Sequence, residues 1–440
     1  MERVLIAARG VVACRLIAHF RREGVETVSV FSEPDVEGLW VEEADYQAYL
    51  RGHTVEETYL DPSRIVEAAM DSGCEAIHPG TNFLATRPEL ADMAVTANVP
   101  ILGVDPRALL RATDRARVRD AAGKAGLPLV PASGVLDPQD DGVAAGSLLG
   151  FPLYAKAVAA GLARRVVDAS QLAEAVAAVR SWAGKLEGDE RVYLEREVGA
   201  HRLIGTLVLA DHVGTIATLG HSDGTLRDGR FSWLEELGPE VVSPERSARL
   251  HRGAAELARR LDFVGIGRVS WMLMPDGAWY FLGFSPRLPT GFSLYEQVFG
   301  VDLIETQLRL GEGKPLGWDD VPTVADRFGI QARVLFGDPR TGRRDPETLE
   351  RFEFPEDANV EVGVAEGFEC TPHTDPLLGM VTALAQTRQA AVVRLSDALS
   401  RAAVEGVHTN LHELVEVLGE RDYWLHHVDS QMLVKRLGSV

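Results

Sequence analysis

The stretch RVLIAARGVVACRLIAHFRREGVETVSVF, residues 3–31, decides the fold of the first part of the chain. An apolar run at 4–7 predicts a short strand, helical spacing of apolar residues over 10–22 predicts a helix, and the run at 27–31 predicts a second strand. The first strand leads directly into the helix. Two strands joined by a helix are the unit of a parallel sheet, and such sheets bind ligands where a strand ends and a helix begins.

The same alternation continues to about residue 125. Helices are predicted over 62–72, 88–97 and 111–125, and strands over 76–78 and 100–102. Strands that alternate with helices of this length predict a parallel sheet with helices on both faces.

Strands dominate the middle of the chain. A compact α+β unit of lid size is predicted from strands at 152–156, 165–167 and 192–197 and a helix at 170–182. Further strands are predicted over 203–210, 212–219, 267–274 and 278–284, and the last two are joined by Pro275-Asp276-Gly277, a strong hairpin signal. The last region is predicted to have short strands and to end in helices at 388–405 and 410–418.

Length, charge and cysteine content restrict the class of protein. A chain of 440 residues exceeds what one hydrophobic core usually covers, so two or three packed units are expected. A formal charge of −20 argues against nucleic acid and anionic membrane as partners. Cys14, Cys74 and Cys370 lie far apart without metal-ligand spacing, and no run of 18 apolar residues is present. We expect a cytoplasmic protein.

Five segments resemble those of biotin carboxylase, the ATP-grasp subunit of biotin-dependent carboxylases. They lie in the family's order and at its spacing over nearly the whole chain. The segments are IAARG at 6–10, HPGTNFL at 78–84, YAKA at 154–157, GVDLIETQL at 300–308 and GVHTN at 406–410. The chain is therefore identified as a divergent member of this family.

The resemblance implies a mixed α/β and α+β fold in three parts. These are an N-terminal parallel α/β domain over 1–112, an ATP-grasp domain over 113–315 with a lid at about 130–200, and a C-terminal α+β domain over 320–440.

Four positions match family residues that contact ATP. Lys156 stands where the family has its ATP lysine, and Arg115 stands where another lysine is usual. Glu195 and Arg196 match the hinge that holds adenine. We expect these ATP-binding residues to be vestigial, because the sequence around them has changed.

Two loops carry that change. The glycine-rich loop of the family reads AVAAGLARR at 157–165 and keeps one glycine, Gly161. Side chains obstruct the approach of backbone N–H groups to phosphate, so this loop predicts weakened ATP binding. The segment DGRFSWLEE at 228–236 lies where the family carries a His-Gln-Lys group, and its apolar residues predict new packing or a new contact surface.

The metal site is predicted from the hairpin. If the turn is centred on Asp276-Gly277, the numbers of two paired residues sum to 553, which places Ser270 opposite Gly283. The resemblance implies a glutamate at each of these two positions and an asparagine at the position of Ser285. Magnesium prefers carboxylate and phosphate oxygens, so we expect no metal site here.

Two arginines of the bicarbonate site are retained. Arg287 matches the family arginine that helps to bind bicarbonate and to stabilise the biotin enolate, and Arg333 matches the arginine beside that site. Gly291 replaces the glutamate base, and a proton acceptor has to come from elsewhere, for example Glu296. We expect Arg287 to be a vestigial catalytic residue or a structural salt bridge.

Three hypotheses follow. The leading one is a non-catalytic subunit of a biotin-dependent acyl-CoA carboxylase complex, with no cofactor, that pairs with an active biotin carboxylase paralogue, a biotin carboxyl carrier protein or carboxyltransferase subunits, or forms a homodimer. The first alternative is an active biotin carboxylase that uses ATP, magnesium, bicarbonate and biotin on a separate carrier protein. The second is an anion or nucleotide sensor in which Arg287, Arg333 and Lys156 bind the ligand without turnover.

Overall fold

The computed structural model describes residues 1–159, 162–228, 231–239, 241–318 and 324–438. In these ranges the chain forms an N-terminal parallel sheet, a small antiparallel sheet in the predicted lid and a large antiparallel sheet. None of the helices in these ranges combines the length and the apolar character that crossing a bilayer requires.

The N-terminal region alternates strands and helices, as its pattern predicts. Its elements are β1 Arg3–Ile6, α1 Gly10–Arg22, β2 Glu26–Phe31, α2 Leu39–Glu43, β3 Tyr46–Tyr49, α3 Pro62–Asp71, β4 Ala76–His78, α4 Pro88–Thr96, α5 Pro106–Thr113 and α6 Arg115–Lys124. The strands are parallel in the order β3-β2-β1-β4. The strand predicted over 100–102 is reduced to a single bridge between Ile77 and Ile101.

One predicted helix is two helices in the structure. The helix predicted over 111–125 divides into α5 and α6 at Asp114, whose carboxylate accepts a hydrogen bond from the Arg117 N–H at 2.9 Å. Asp114 has extended backbone and caps the second helix, and aspartate is among the residues most favoured at that position.

The lid is an antiparallel sheet covered by helices. Its elements are β5 Ala132–Val135, α7 Val143–Leu149, β6 Leu153–Ala157, β7 Ala163–Val166, α8 Leu172–Glu187 and β8 Val192–Arg196. The strand order is β5-β8-β6-β7. Alternate residues of β6 (Leu153, Ala155 and Ala157) are buried in one apolar cluster with residues of α8 such as Val176 and Val179. Two-residue alternation on the strand and helical spacing on its cover give the lid a core of its own.

The remaining elements build the large sheet and its covering helices. Up to residue 311 they are β9 Arg202–Ala210, β10 Ile216–Asp223, β11 Leu234–Leu237, α9 Pro244–Arg260, β12 Gly265–Leu273, β13 Trp279–Ser285, α10 Phe292–Phe299 and α11 Leu303–Gly311. After it they are β14 Phe328–Leu335, β15 Glu347–Thr348, β16 Arg351–Glu353, β17 Asn359–Val362, β18 Glu369–Cys370, β19 Leu377–Ala385, α12 Arg388–Ser400, β20 Ala403–Glu405, α13 Leu411–Gly419, α14 Arg421–Trp424 and α15 Met432–Leu437.

The large sheet has the order β13-β12-β9-β10-β11-β14-β19-β17 and is antiparallel throughout. It therefore continues from the predicted ATP-grasp region into the predicted C-terminal region through the pairing of β11 with β14. Alternate residues of β9 pack on its two faces: Ile204 and Val208 belong to the cluster that contains α9, and Leu207 and Leu209 to the cluster that contains α10. This central position places the ends of β11, β12 and β14 around one cavity.

Two predicted elements end or begin elsewhere. The strand predicted over 212–219 begins at Ile216, because the Asp211 carboxylate accepts hydrogen bonds from the N–H groups of Val213 at 3.0 Å and Thr215 at 2.8 Å and holds a turn there. The helix predicted over 388–405 ends at Ser400, and β20 follows it and pairs with β16.

Candidate functional site

The hairpin places Ser270 directly opposite Gly283, as the sequence predicts, and pairs Ser285 with Arg268. The agreement has two compensating causes. Met274 N–H donates to the Ala278 carbonyl at 2.8 Å, so the loop has three residues. In the pairs next to the loop, the two residue numbers therefore sum to 552. A bulge between Ser270 and Trp271 then restores the sum of 553. The pair contributes one hydroxyl group and no carboxylate.

Magnesium does not fit these residues. Magnesium in nucleotide sites is held by carboxylates together with substrate phosphates, and the three positions hold serine, glycine and serine. Over the described ranges no group of three or more His, Cys, Asp or Glu side chains is arranged to hold a metal ion.

The residues predicted to contact ATP come together at the base of the lid. Lys156 forms an ion pair with Glu195, and Arg119 Nη1 lies 3.1 Å from the other oxygen of the same carboxylate. Arg115 donates to the carbonyl of Ala157 at 3.4 Å. The carboxylate of Glu195 is thus shared by a lysine and an arginine. Lys156 is not among the described residues that line the cavity containing Arg287 and Arg333.

The described residues include the hinge at Glu195 and Arg196 and parts of the two altered loops. Arg196 is exposed at the end of β8, and its N–H donates to the Pro131 carbonyl at 2.9 Å. In the loop at 157–165 Val158 is fully buried, and Gly161 lies outside the described residues. In the segment 228–236, Gly229 and Arg230 also lie outside them. Trp233 is buried there and donates to the Asp228 carboxylate at 3.1 Å, so this apolar residue provides packing.

A cavity of about 320 Å³ lies beside Ser270 and is lined by arginines. The lining arginines are Arg9, Arg227, Arg268, Arg287 and Arg333. One acidic residue, Asp375, is found among the described residues that line the cavity, and it lies close to Arg9. The cavity is therefore strongly positive at the end formed by the large sheet.

Glu235 on β11 is the carboxylate nearest to that positive end. It is 1% exposed, and its oxygens lie 2.7 Å from Arg333 Nη2 and 3.4 Å from Arg268 Nη1. Burial raises the pKa of Glu235, but Arg268 and Arg333 outweigh burial and the pKa lies below its usual range. Glu235 is therefore ionised and is shared by two guanidinium groups.

Arg287 has a different environment. It donates to the Thr81 carbonyl, and within the described ranges it forms no ion pair, so the structural salt bridge expected from the sequence is not found. Burial and the charges of Arg268 and Arg333 lower the pKa of Arg287 to about 10. The pKa of Arg227 is lowered by the same causes, in the same order. These guanidinium groups repel one another.

Gly291, the position expected for the base, is occupied in space by its neighbours. A Cβ atom built there would lie 2.7 Å from Glu235 Oε2, 3.1 Å from Gln331 Oε1 and 3.2 Å from Arg333 Nη2. A side chain at this position would therefore require the side-chain ends of Glu235 and Arg333 to shift.

Glu296 does not replace the base. It accepts from Arg15 at 2.7 Å and from the Leu303 N–H at 2.9 Å, and burial raises its pKa. It serves to join α1 to the start of α11 and does not line the cavity. The carboxylate beside Gly291 is Glu235, which sequence reasoning missed because β11 approaches residue 291 only in the folded chain.

Arg268 was also missed, although a local signal was present. Residues two apart on a strand point to the same face, so Arg268 is expected on the face of Ser270. Arg227 had no such signal, because it lies in an irregular segment after β10.

A central antiparallel sheet with a hinged lid, preceded by a parallel α/β domain, defines an ATP-grasp protein of the carboxylase type. Family models match along the chain in the same order. "Biotin carboxylase, N-terminal domain" matches residues 1–109, "Carbamoyl-phosphate synthase L chain, ATP binding domain" matches 114–318, and "Biotin carboxylase C-terminal domain" matches 331–435.

Individual proteins agree with the family models. The chain is 30% identical over 424 residues to a biotin carboxylase of Halalkalibacterium halodurans, which covers 95% of this chain and 94% of the relative. It is 27% identical over 430 residues to the 2-oxoglutarate carboxylase small subunit of Hydrogenobacter thermophilus, 96% of this chain and 91% of the relative. The crystal structure of the biotin carboxylase domain dimer of the Hydrogenobacter thermophilus 2-oxoglutarate carboxylase, in complex with MgADP, ADP and bicarbonate, superposes with a TM-score of 0.92 at 26% identity, covering 100% of this chain and 99% of that one.

This chain belongs to the biotin carboxylase family. The family and the fold class predicted from the sequence are confirmed. The exact domain boundaries at 112, 315 and 320 and the vestigial roles of the site residues stay predictions.

Proposed function

We propose that this protein is a biotin carboxylase-family subunit that does not turn over ATP and has a structural or regulatory role in a biotin-dependent acyl-CoA carboxylase complex. Its partners would be an active biotin carboxylase paralogue, a biotin carboxyl carrier protein or carboxyltransferase subunits, or a second copy of itself. The names of two relatives, a carboxylase small subunit and a domain dimer, support an assembly of this kind.

One observation carries the proposal. The strand pair that would hold magnesium presents Ser270 opposite Gly283, and the neighbouring cavity is lined by arginines. A cation that needs carboxylate oxygens is disfavoured beside several guanidinium groups, because like charges repel in a partly buried site. The position that matches the family's base is a glycine, Gly291, and the Glu235–Arg333 pair lies next to it.

An active biotin carboxylase is the second candidate, and the comparisons favour it. Relatives that match nearly the whole chain are named biotin carboxylases, and a similar structure holds MgADP and bicarbonate. By the sequence resemblance, Lys156, Glu195, Arg287 and Arg333 match family positions. In this candidate Glu235 would accept the proton, and ATP would have to bind magnesium without protein carboxylates at the hairpin.

Release of ADP separates the two candidates. The protein is incubated with ATP, magnesium, bicarbonate and free biotin, and a biotin carboxylase such as the Halalkalibacterium halodurans relative serves as the positive control. The proposal predicts that ADP forms at the rate of the protein-free reaction. Release that depends on both bicarbonate and the protein would establish the active enzyme and end the non-catalytic proposal.

A further inference from the structure

The lid and the rest of the chain have separate apolar cores. The lid cluster contains residues of β6, α8 and β8, whereas Val118, Ala121 and Ala122 of α6 belong to the cluster that contains β9, α9 and β12. In the described part of the chain no apolar cluster joins the lid to α6, and units without a large apolar interface are expected to move relative to each other. The position of the lid therefore depends on polar contacts.

The first polar contact is an ion pair at the end of β8 that lies away from the hinge. Arg191 Nη2 lies 3.0 Å from Asp114 Oδ2, and the same guanidinium group is held within the lid by Asp189 at 2.7 Å. The other oxygen of Asp114 caps α6 by accepting from the Arg117 N–H at 2.9 Å. One carboxylate thus serves both the helix and the lid.

The second contact fixes the start of the loop after β6. The Arg115 N–H donates to the Val158 carbonyl at 3.3 Å, and Arg115 Nη1 donates to the Ala157 carbonyl at 3.4 Å. This N–H lies in the first turn of α6, where backbone donors have no partner within the helix. The Val158 N–H in turn donates to the Arg191 carbonyl at 2.9 Å, so the loop and the ion pair are linked.

The third contact lies at the hinge end of β8. Arg119 Nη1 lies 3.1 Å from Glu195 Oε2, and the same guanidinium group donates to the Val130 carbonyl. Glu195 is about 13 Å from Arg191 at the rise of a β-strand, so α6 contacts the lid at both ends of β8. A lid that swung about the hinge would have to break the contact of Arg191, because that end moves farther.

Between these contacts α6 and the lid are not closely packed. A groove of about 490 Å³ lies between α6 and the strands β5 and β8, and Arg119, Leu129 and Tyr193 are among the residues that line it. An interface of a few polar contacts beside an open groove can form and break without disrupting either apolar core.

We propose that α6 acts as a clasp that holds the lid closed without any ligand, through the contacts of Asp114 with Arg191, of Arg115 with the loop at 157–158 and of Arg119 with Glu195. Closed here means that α6 contacts both ends of β8. The inference goes beyond the proposed function, because it concerns the resting position of the lid and not the turnover of ATP. A clasped lid presents one fixed surface to a partner subunit.

Amide hydrogen exchange of the ligand-free full chain tests the clasp. The Arg115 N–H donates to the lid, so its exchange reports openings of the lid, including rare ones. The N–H groups in the interior of α6 exchange only when the helix itself opens. Mass spectrometry with fragmentation to single residues separates the two. We expect the Arg115 N–H to be protected in the parent protein without any ligand.

Two variants remove the ion pair from either side. Arg191→Gln should raise the exchange rate of the Arg115 N–H about two- to fivefold, the factor that corresponds to the loss of a half-exposed ion pair. Exchange in the interior of α6 should stay unchanged. Asp114→Asn should have the same effect, because an asparagine oxygen can still cap the helix. Arg164→Gln is the matched control, since the partner of this lid arginine, Glu174, also lies in the lid.

The double variant separates the clasp from a general effect on stability. Asp114→Asn and Arg191→Gln together should have no larger effect than either change alone, because both remove the same pair. Full addition of the two effects, or faster exchange in the interior of α6, would show that these residues stabilise the helix and do not hold the lid, and would overturn the inference.

Two further results would overturn it: an unprotected Arg115 N–H in the parent protein, or an equal effect of Arg164→Gln. The proposed function fails separately, through release of ADP, and that result would leave the exchange rates and the clasp unaffected.

Discussion

Two adjacent glutamates on β11 point to opposite faces of the large sheet and have contrasting partners. Glu236 receives two hydrogen bonds from Arg388, each 2.7 Å long, and a third from the Tyr423 hydroxyl group. Both members of this ion pair are almost completely buried. One carboxylate faces one guanidinium group with matched geometry, which is the arrangement that a buried ion pair needs to be stable.

Glu235, its neighbour, pairs with more than one guanidinium group. It is shared by Arg268 and Arg333, and Arg287 lines the same cavity. The difference separates two uses of buried charge. A balanced pair joins elements of the fold, here β11 to α12, whereas on the other face one carboxylate is shared by two guanidinium groups that line a cavity.

The largest effect is expected on the balanced side. Arg388→Gln should lower the free energy of unfolding by about 3–5 kcal/mol, because it leaves the Glu236 charge buried without its partner. Urea denaturation measures this change, and Arg252→Gln, at an exposed position on α9, is the control. A loss below about 1 kcal/mol would mean that the Glu236–Arg388 pair does not stabilise the contact between β11 and α12.

Glu235→Gln should have a smaller effect. We expect a loss of about 2 kcal/mol at low ionic strength, because Arg268 and Arg333 line a cavity and remain partly exposed when their carboxylate is removed. Urea denaturation measures the loss. Glu236→Gln, the matched variant on the other face, should lose more stability, and equal losses in both variants would erase the distinction between the two faces.

Carboxylates restored at the hairpin should create magnesium binding. A Cβ atom at Gly283 meets no heavy atom within 4 Å, so a glutamate has room there. The variant Ser270→Glu, Gly283→Glu, Arg268→Gln places two facing carboxylates and removes the competing guanidinium group. At magnesium ten times above Kd, unfolding should become about 1.4 kcal/mol less favourable. Arg268→Gln alone should show no response to magnesium, and a response in that control would point to a metal site elsewhere.

The smallest effect concerns pH on the balanced face. His426 accepts a hydrogen bond from Arg202 at 3.1 Å and lies 3.8 Å from both Asp223 and Glu236. Burial lowers the pKa of His426 below 6.5, and Arg202 lowers it further, whereas Glu236 opposes this shift. The unfolded chain therefore binds a proton more readily than the folded one, and the contribution of His426 to stability is present above pH 6.5 and is lost as the pH falls below it.

His426→Asn tests this prediction. Its backbone φ of 61° lies in the left-handed region, which asparagine tolerates. The loss of stability on mild acidification should be smaller in this variant than in the parent protein, measured by Tm against pH. Parallel pH profiles would show that His426 does not titrate with unfolding.

Local pattern was sufficient for much of the fold. The helix predicted over 10–22 has the same bounds in the structure, because an unbroken apolar stripe defines both of its ends. The helix predicted over 111–125 is divided in the structure. Asp114 caps a second helix at a point where the apolar spacing alone favours one continuous helix. Family resemblance supplied the order of the parts.

At the site, the sequence predicted which functional side chains are missing but not which residues replace them. Motif alignment showed which carboxylates are missing at Ser270, Gly283 and Gly291, since absence is visible at an aligned position. What replaces them was not visible. Glu235 reaches residue 291 through the pairing of β11 with β14, and Arg268 fits because of Gly205 on the neighbouring strand. Both are long-range contacts that no spacing rule within one segment contains.

Calorimetric titration with ATP tests the central claim most directly, first with magnesium and then with EDTA in its place. The hairpin presents Ser270 opposite Gly283 and no carboxylate to magnesium, so ATP should bind no more strongly with magnesium than in EDTA. Binding that appears only with magnesium would show a working metal site and would contradict the account.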